Sequence, residues 1–215
     1  MTLPQRTPSR GEPAEGSVAP TDERILDLVV AGHQHAFDVI VGRYAGRVCR
    51  YIRQVGGDGA PAEDLAQSVF IKIFSAASKF DGRHAFAPWM FRIARNVTVD
   101  WLRTEEVRRR HADIHEERTR STGTRGASTP LQELELREFE EHLARAMEEL
   151  PEVHRSAFLL REQEELSYEE IAEVLGIPPK TVSTRIHRAR HHLKNKLSPF
   201  LFRGRGESGR TETSP

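Results

Sequence analysis

The chain has 215 residues, 37% of them hydrophobic, with 32 Lys or Arg balanced by 32 Asp or Glu and a single cysteine. That length builds one medium hydrophobic core or two small ones, and one cysteine excludes an internal disulfide framework. No charged start leads into an apolar stretch, and no apolar run approaches the roughly 18 residues that cross a bilayer, so the expectation is a soluble, cytoplasmic protein without membrane insertion.

The zero net charge is a sum of unequal segments. Arg83 to Arg110 holds seven arginines and three acids, Glu133 to Glu173 fourteen acids and four arginines, and Ile177 to Leu197 six Lys or Arg with no acid. Two basic stretches around an acidic one are the pattern of a protein that meets DNA at two places and turns its middle to solvent or protein.

In chain order, residues 1–20 carry four prolines and almost no large apolar residue, a composition expected to stay disordered. A first amphipathic stripe runs through Phe37, Ile40, Val41, Tyr44, Val48 and Ile52, with Cys49 read as a small apolar residue of the same interior. Gly56-Gly-Asp-Gly59 breaks the chain, and Pro61 suits the first turn of a second helix whose stripe is Leu65, Val69, Phe70, Ile73 and Ala77. The opposite side of that helix presents Asp64, Gln67, Ser68, Ile71 and Ser75. An outward Ile among polar neighbours fits a protein partner as well as it fits an ordinary lone surface apolar residue.

The segment Phe80-Asp-Gly-Arg83-His84-Ala-Phe86 supplies aromatics, charge and a flexible glycine, the parts of a pocket for an unstacked base; Phe80 and Phe86 would serve equally well to seal a core. A third helix, from near Pro88, turns Met90, Ile93, Ala94, Val97 and Trp101 one way and Arg92, Arg95, Asn96 and Arg103 the other. Residues 111–130 read as a flexible linker, and residues 198–215 as a disordered tail.

The second block begins with a helix from about Leu131 to Leu150, halted by Pro151, and a further helix to about Glu164. Ser167 and Glu170 stand at capping-box spacing before a short helix that Gly176 ends. After Pro178-Pro179 a longer basic helix points Val182, Ile186, Ala189, Leu193 and Leu197 inward. A short helix, a tight turn with Gly and a basic helix make a helix-turn-helix. Its outward side carries Lys180, Thr184, His187, Arg188 and His191, flanked by Thr181, Ser183, Arg185 and Arg190, groups able to reach base edges and phosphates.

Ser167-Tyr-Glu-Glu-Ile-Ala-Glu-Val-Leu-Gly-Ile177 followed by Thr181-Val-Ser-Thr-Arg-Ile-His-Arg-Ala-Arg190 resembles the fourth conserved region of bacterial sigma factors. Ala62-Glu-Asp-Leu-Ala-Gln-Ser-Val-Phe70 resembles the polymerase-binding helix of the second region, and Trp89 to Arg103 the helix that reads and melts the minus-ten element. Only a linker stands where a third region would be, which is similar to the extracytoplasmic-function group. Ser68 departs from the Glu common in that family, and Pro178-Pro179 from the small residue that often precedes the Thr. The resemblance implies an all-α protein of two small domains, a region-two helical bundle over 21–110 and a region-four helix-turn-helix over 131–197. It implies core RNA polymerase and promoter DNA as partners, with an anti-sigma protein plausible, and no cofactor or catalysis of its own.

By that reading Asp64, Gln67, Ser68, Ile71 and Ser75 meet polymerase. Phe80, Arg83, His84, Phe86, Trp89, Arg92, Arg95, Asn96 and Arg103 meet the minus-ten element, and Lys180, Thr181, Ser183, Thr184, Arg185, Arg188 and Arg190 the minus-thirty-five element. Two rivals come from other classes. One is a free-standing repressor or activator using the same helix-turn-helix. The other is a metal enzyme on His111 and His115, which share a helical spacing but lack a third ligand nearby.

Overall fold

The computed structural model describes residues 20–57, 59–112 and 130–203, and among these every regular element is helical. The helices are α1 (Asp22–Val30), α2 (Phe37–Gly56), α3 (Ala62–Ala76), α4 (Phe86–Ala112), α5 (Pro130–Glu148), α6 (Glu152–Glu162), α7 (Tyr168–Leu175) and α8 (Pro179–Arg203), with short 3₁₀ turns at Gln34–Ala36 and Ala77–Lys79.

Helices α2, α3 and α4 form a three-helix bundle, with α1 laid against α2 and the second 3₁₀ turn. The expected stripe of α2 is buried at Phe37, Ile40, Tyr44, Val48 and Ile52, and Tyr51 and Val55 widen it. The α2–α3 corner is tight because Gly56 has no side chain: a Cβ there would lie 2.6 Å from the Ala60 Cβ and 3.4 Å from the Trp101 ring. Cys49 packs half-buried on the core with its thiol toward the Ala62 carbonyl, and burial pushes that thiol's pKa up, away from nucleophilic use. Helix α1, which sequence reasoning missed, buries Ile25, Leu26 and Val29 at helical spacing. It is capped by the Thr21 hydroxyl, which accepts from the Arg24 amide at 3.3 Å, and Asp22 ties it to α2 by accepting from Tyr44 Oη at 2.5 Å and Arg43 at 2.6 Å.

In the second block α8 packs on α5, α6 and α7. The capping box is formed: the Glu170 amide donates to Ser167 Oγ at 3.2 Å and the Ser167 amide to Glu170 Oε2 at 2.7 Å. Gly176 then ends α7 in the left-handed region at φ 64°.

The boundary expected at 198 moves: α8 continues through Pro199 to Arg203. Proline removes the amide that would bond the Asn195 carbonyl, and the Ser198 hydroxyl donates to that carbonyl instead at 2.9 Å. Phe200 then stacks on His142 of α5, ring centroids 4.1 Å apart. The expected disordered and linker segments otherwise lie outside the described residues, apart from Pro20 and the ends of α4 and α5.

The two blocks also pack on one another, α7 against α4 and α6 against α2, so one buried cluster runs from Ile25 through Ile186. Polar pairs cross the seam. Tyr51 donates to Ser156 at 3.2 Å, and Arg47 holds the buried Glu164 carboxylate at 2.6 Å while its guanidinium lies over the Tyr44 and Phe91 rings.

Candidate nucleic-acid interface

Helix α8 turns Val182, Ile186 and Ala189 fully into the core and leaves Lys180, Ser183, Thr184, His187 and Arg188 exposed, with Thr181 and Arg185 half-buried at the flank. The helix starts at Pro179, and the Pro178 carbonyl accepts from the Thr181 and Val182 amides, so the double proline makes the first turn rather than interrupting it. Thr184 spends its hydroxyl proton on the Lys180 carbonyl, leaving its oxygen free only to accept. Arg190 is tied to Glu162 of α6 at 2.5 Å, which distinguishes it from Arg188. Sequence reasoning missed His154 of α6. Its pKa is pushed below the ordinary imidazole value by burial and then by the nearby charges of Arg188 and Arg185, which places a third nitrogen group at the base of this face.

The second basic surface centres on the loop 80–86 and the start of α4. Phe80, Phe86 and Trp89 form an aromatic triangle with centroids 5.2 to 6.0 Å apart. Phe86 is a correction to the expected site: it is 1% exposed and packs edge-on to Tyr44 at 5.4 Å, so it seals the bundle and cannot meet a base without unpacking it. Phe80 and Trp89 remain half-exposed and line a cavity of about 390 Å³ with Lys79, His84, Arg92 and, from α7, Glu173. Arg83 is exposed but folds back on Asp81, whose carboxyl its hydrogen bonds pull down to about 2. Arg92, Asn96 and Arg103 are exposed along α4, whereas Arg95 is half-buried with its Nε 3.5 Å from Glu152 of α6 and no hydrogen-bond partner there.

A third surface is apolar. Asp64, Gln67, Ser68, Ile71 and Ser75 all lie on the outer side of α3, and Ser68 donates to the Asp64 carbonyl within the helix. Ile71 is 59% exposed and borders a groove of about 510 Å³ between α2 and α3, floored by Val41, Ala45 and Phe70. Phe74, one helical turn from Ile71 and 38% exposed, belongs to this surface and was missed; its spacing of three from Ile71 is the signal that could have found it.

Among the described residues no cluster of three or more His, Cys, Asp or Glu could hold a metal, and no helix is long and apolar enough to cross a membrane. His115, and the side chain of His111, lie outside the described residues.

The family described as Sigma-70 region 2 matches residues 40–108, and Sigma-70 region 4 matches residues 140–193. The chain is 35% identical over 186 residues to the ECF RNA polymerase sigma-E factor of Haemophilus influenzae, covering 84% of this chain and 97% of that one. It is 35% identical over 188 residues to the factor of that name from Escherichia coli K12, covering 85% and 97%. Among solved structures, CnrH in complex with the cytosolic domain of CnrY aligns with a TM-score of 0.60 at 25% identity, over 83% of this chain and 97% of that one. The sigma factor RpoE in complex with the anti-sigma factor NepR, from Bartonella quintana, aligns with a TM-score of 0.62 at 21% identity, over 75% and 96%, a likeness of fold.

Proposed function

The chain belongs to the extracytoplasmic-function group of the sigma-70 family, and from that premise we propose how its three surfaces divide the work of an alternative sigma factor. Such a factor directs promoter-specific transcription initiation and is not an enzyme. We assign residues 21–110 to the polymerase-binding and minus-ten domain and 131–197 to the minus-thirty-five domain. The protein then works in the cytoplasm, beside polymerase and DNA.

The α2–α3 groove with Ile71 and Phe74 is the polymerase contact, since an exposed apolar pair beside a groove is what a protein partner buries. Trp89, Phe80, Arg92, Asn96 and Arg103 receive the melted minus-ten strand. Unstacking a base costs a few kcal/mol, which aromatic stacking and cationic contact offset at about 1 to 3 kcal/mol per base. Helix α8 enters the major groove of the minus-thirty-five element, with Ser183, Thr184 and Arg188 toward the bases and Lys180 and Arg185 toward phosphates. An anti-sigma protein is a further partner, supported by two solved relatives whose structures contain a bound protein.

The observation that carries this reading is the split of α8 into a buried apolar side and an exposed basic one next to a formed helix-turn-helix. In polymerase holoenzyme, Arg188→Ala should cost about 1 to 3 kcal/mol at the preferred promoter and much less at scrambled upstream sequence, because a forked base contact discriminates. Equal losses on both DNAs would remove Arg188 from base reading. Lys180→Ala should weaken both DNAs alike and flatten the salt dependence by about one unit of slope.

A further inference from the structure

Two adjacent acids open α1, and each reaches another helix. Asp22 accepts from Tyr44 Oη at 2.5 Å, and the Tyr44 ring packs edge-on to Phe86 with centroids 5.4 Å apart. Glu23 Oε1 accepts from the backbone amide of that same Phe86 at 3.3 Å, 63 residues along the chain. Phe86 is the first residue of α4, and the first turn of α4 carries no acid of its own. Glu23 therefore satisfies one of the amides that a helix start leaves open and sets a negative charge at the positive end of the helix dipole. Both the ring and the amide of Phe86 are thus fixed from the first turn of α1.

Phe86 in turn supports the DNA-facing cavity. Its ring centroid lies 6.0 Å from Phe80 and 6.0 Å from Trp89, the two aromatics that line that cavity. Phe80 also borders a cleft of about 270 Å³ lined by Glu23, Leu26 and Val30 of α1 and by Gly82 of the loop. Helix α1 backs the loop 80–86 at Phe80 and grips its end at Phe86.

We propose that Glu23, with Asp22 beside it, is a positioning residue for promoter recognition: by capping α4 it holds the loop 80–86 and Trp89 in the shape that admits the preferred unstacked minus-ten base and rejects others. The inference rests on the assignment of Phe80 and Trp89 to the minus-ten strand. A cavity ordered before the base arrives loses less freedom on binding and tolerates less misfit, so its order is read out as discrimination between bases. Glu23 acts through Phe86 and need not touch DNA.

The test uses polymerase holoenzyme and a promoter fragment from which it starts transcription, with the minus-ten strand left unpaired and each of its bases replaced in turn by the other three. Discrimination is the ratio of affinities for the preferred and the replaced base. The parent should show its largest ratio at one position. Glu23→Ala should lower that ratio about fivefold, as for the loss of a helix cap, while the effect of scrambling the minus-thirty-five element stays the same. Glu23→Gln keeps an acceptor oxygen and should retain most of the ratio. Tyr44→Phe, which releases Asp22 but keeps the ring, should lower it less than Glu23→Ala. Thr21→Ala removes the cap of α1 itself without touching Phe86, so it should lower the thermal-unfolding midpoint and keep the ratio. A parental ratio in Glu23→Ala would overturn the proposal. An equal loss of ratio in Thr21→Ala would also overturn it, because stability alone would then account for the effect. If the parent's ratio survives Phe80→Ala combined with Trp89→Ala, the minus-ten assignment itself fails and the inference falls with it.

Discussion

Arg188 and Arg190 sit two residues apart on α8, yet only Arg188 points away from the protein; Arg190 is held by Glu162. An exposed pair of that kind is worth about 0 to 1 kcal/mol, small enough for a phosphate to replace but enough to hold the side chain aside in the free protein. His154 adds a pH dependence at the same spot. Its folded pKa is depressed, so the unfolded chain takes up the proton more readily, and stability falls as pH drops through the ordinary imidazole value toward the folded one. His154→Gln should therefore flatten the thermal-unfolding midpoint against pH between about 7 and 5 relative to the parent, given a reference imidazole value near 6.5. An unchanged pH profile would show that the ring titrates alike in both states. At this scale the sequence is clear where chemistry and helical phase agree, as for Lys180 and Arg188. It is ambiguous at Phe80 and Phe86, because aromatic side chains suit base stacking and core sealing equally. Only the packing of Phe86 on Tyr44 separates the two.

Helix α7 owes its short length to its two ends. Ser167→Ala removes the side-chain half of the capping box and should cost about 1 kcal/mol. Gly176→Ala, placed in open space at φ 64°, should cost about 1 to 2 kcal/mol through backbone strain alone. Chemical denaturation reads both, and losses well below a few tenths of a kcal/mol would mean that α7 is held by packing rather than by its caps. These stops are legible because capping and left-handed turns each demand particular residue types. Helix α1 shows the same kind of signal, with Ile25, Leu26 and Val29 at helical spacing behind a Thr21 cap, but its placement depends on Asp22 meeting Arg43 and Tyr44 from α2, a pairing that local sequence does not show. The end of α8 escapes sequence reasoning for a related reason: Pro199 argues locally for a stop, while Ser198 and the Phe200–His142 stack act against it. On α3, Ile71→Asp should abolish or strongly weaken co-elution with core RNA polymerase without loss of helix content, because it buries an unpaired charge at the interface. Phe74→Ala should weaken it less. Undiminished complex formation by Ile71→Asp would move the polymerase contact elsewhere.

At the scale of the whole chain, the segregation of charge along the sequence marks two basic stretches and an acidic middle. What composition does not show is where the acidic middle goes. Glu152, Glu164 and Glu173 all come from it, and all three turn toward the first block, toward arginines in two cases and a histidine in the third. Long-range pairing of this sort leaves no periodic trace, so the sequence presents two separate blocks where the structure packs them on one core. The central claim, that this chain selects promoters for polymerase, is tested most directly by transcription from fragmented genomic DNA of the source organism with core RNA polymerase, with and without the protein. Defined transcript starts should appear only when the protein is present, share two upstream sequence elements, and disappear with Ile71→Asp. Start sites identical with and without the protein would contradict the account.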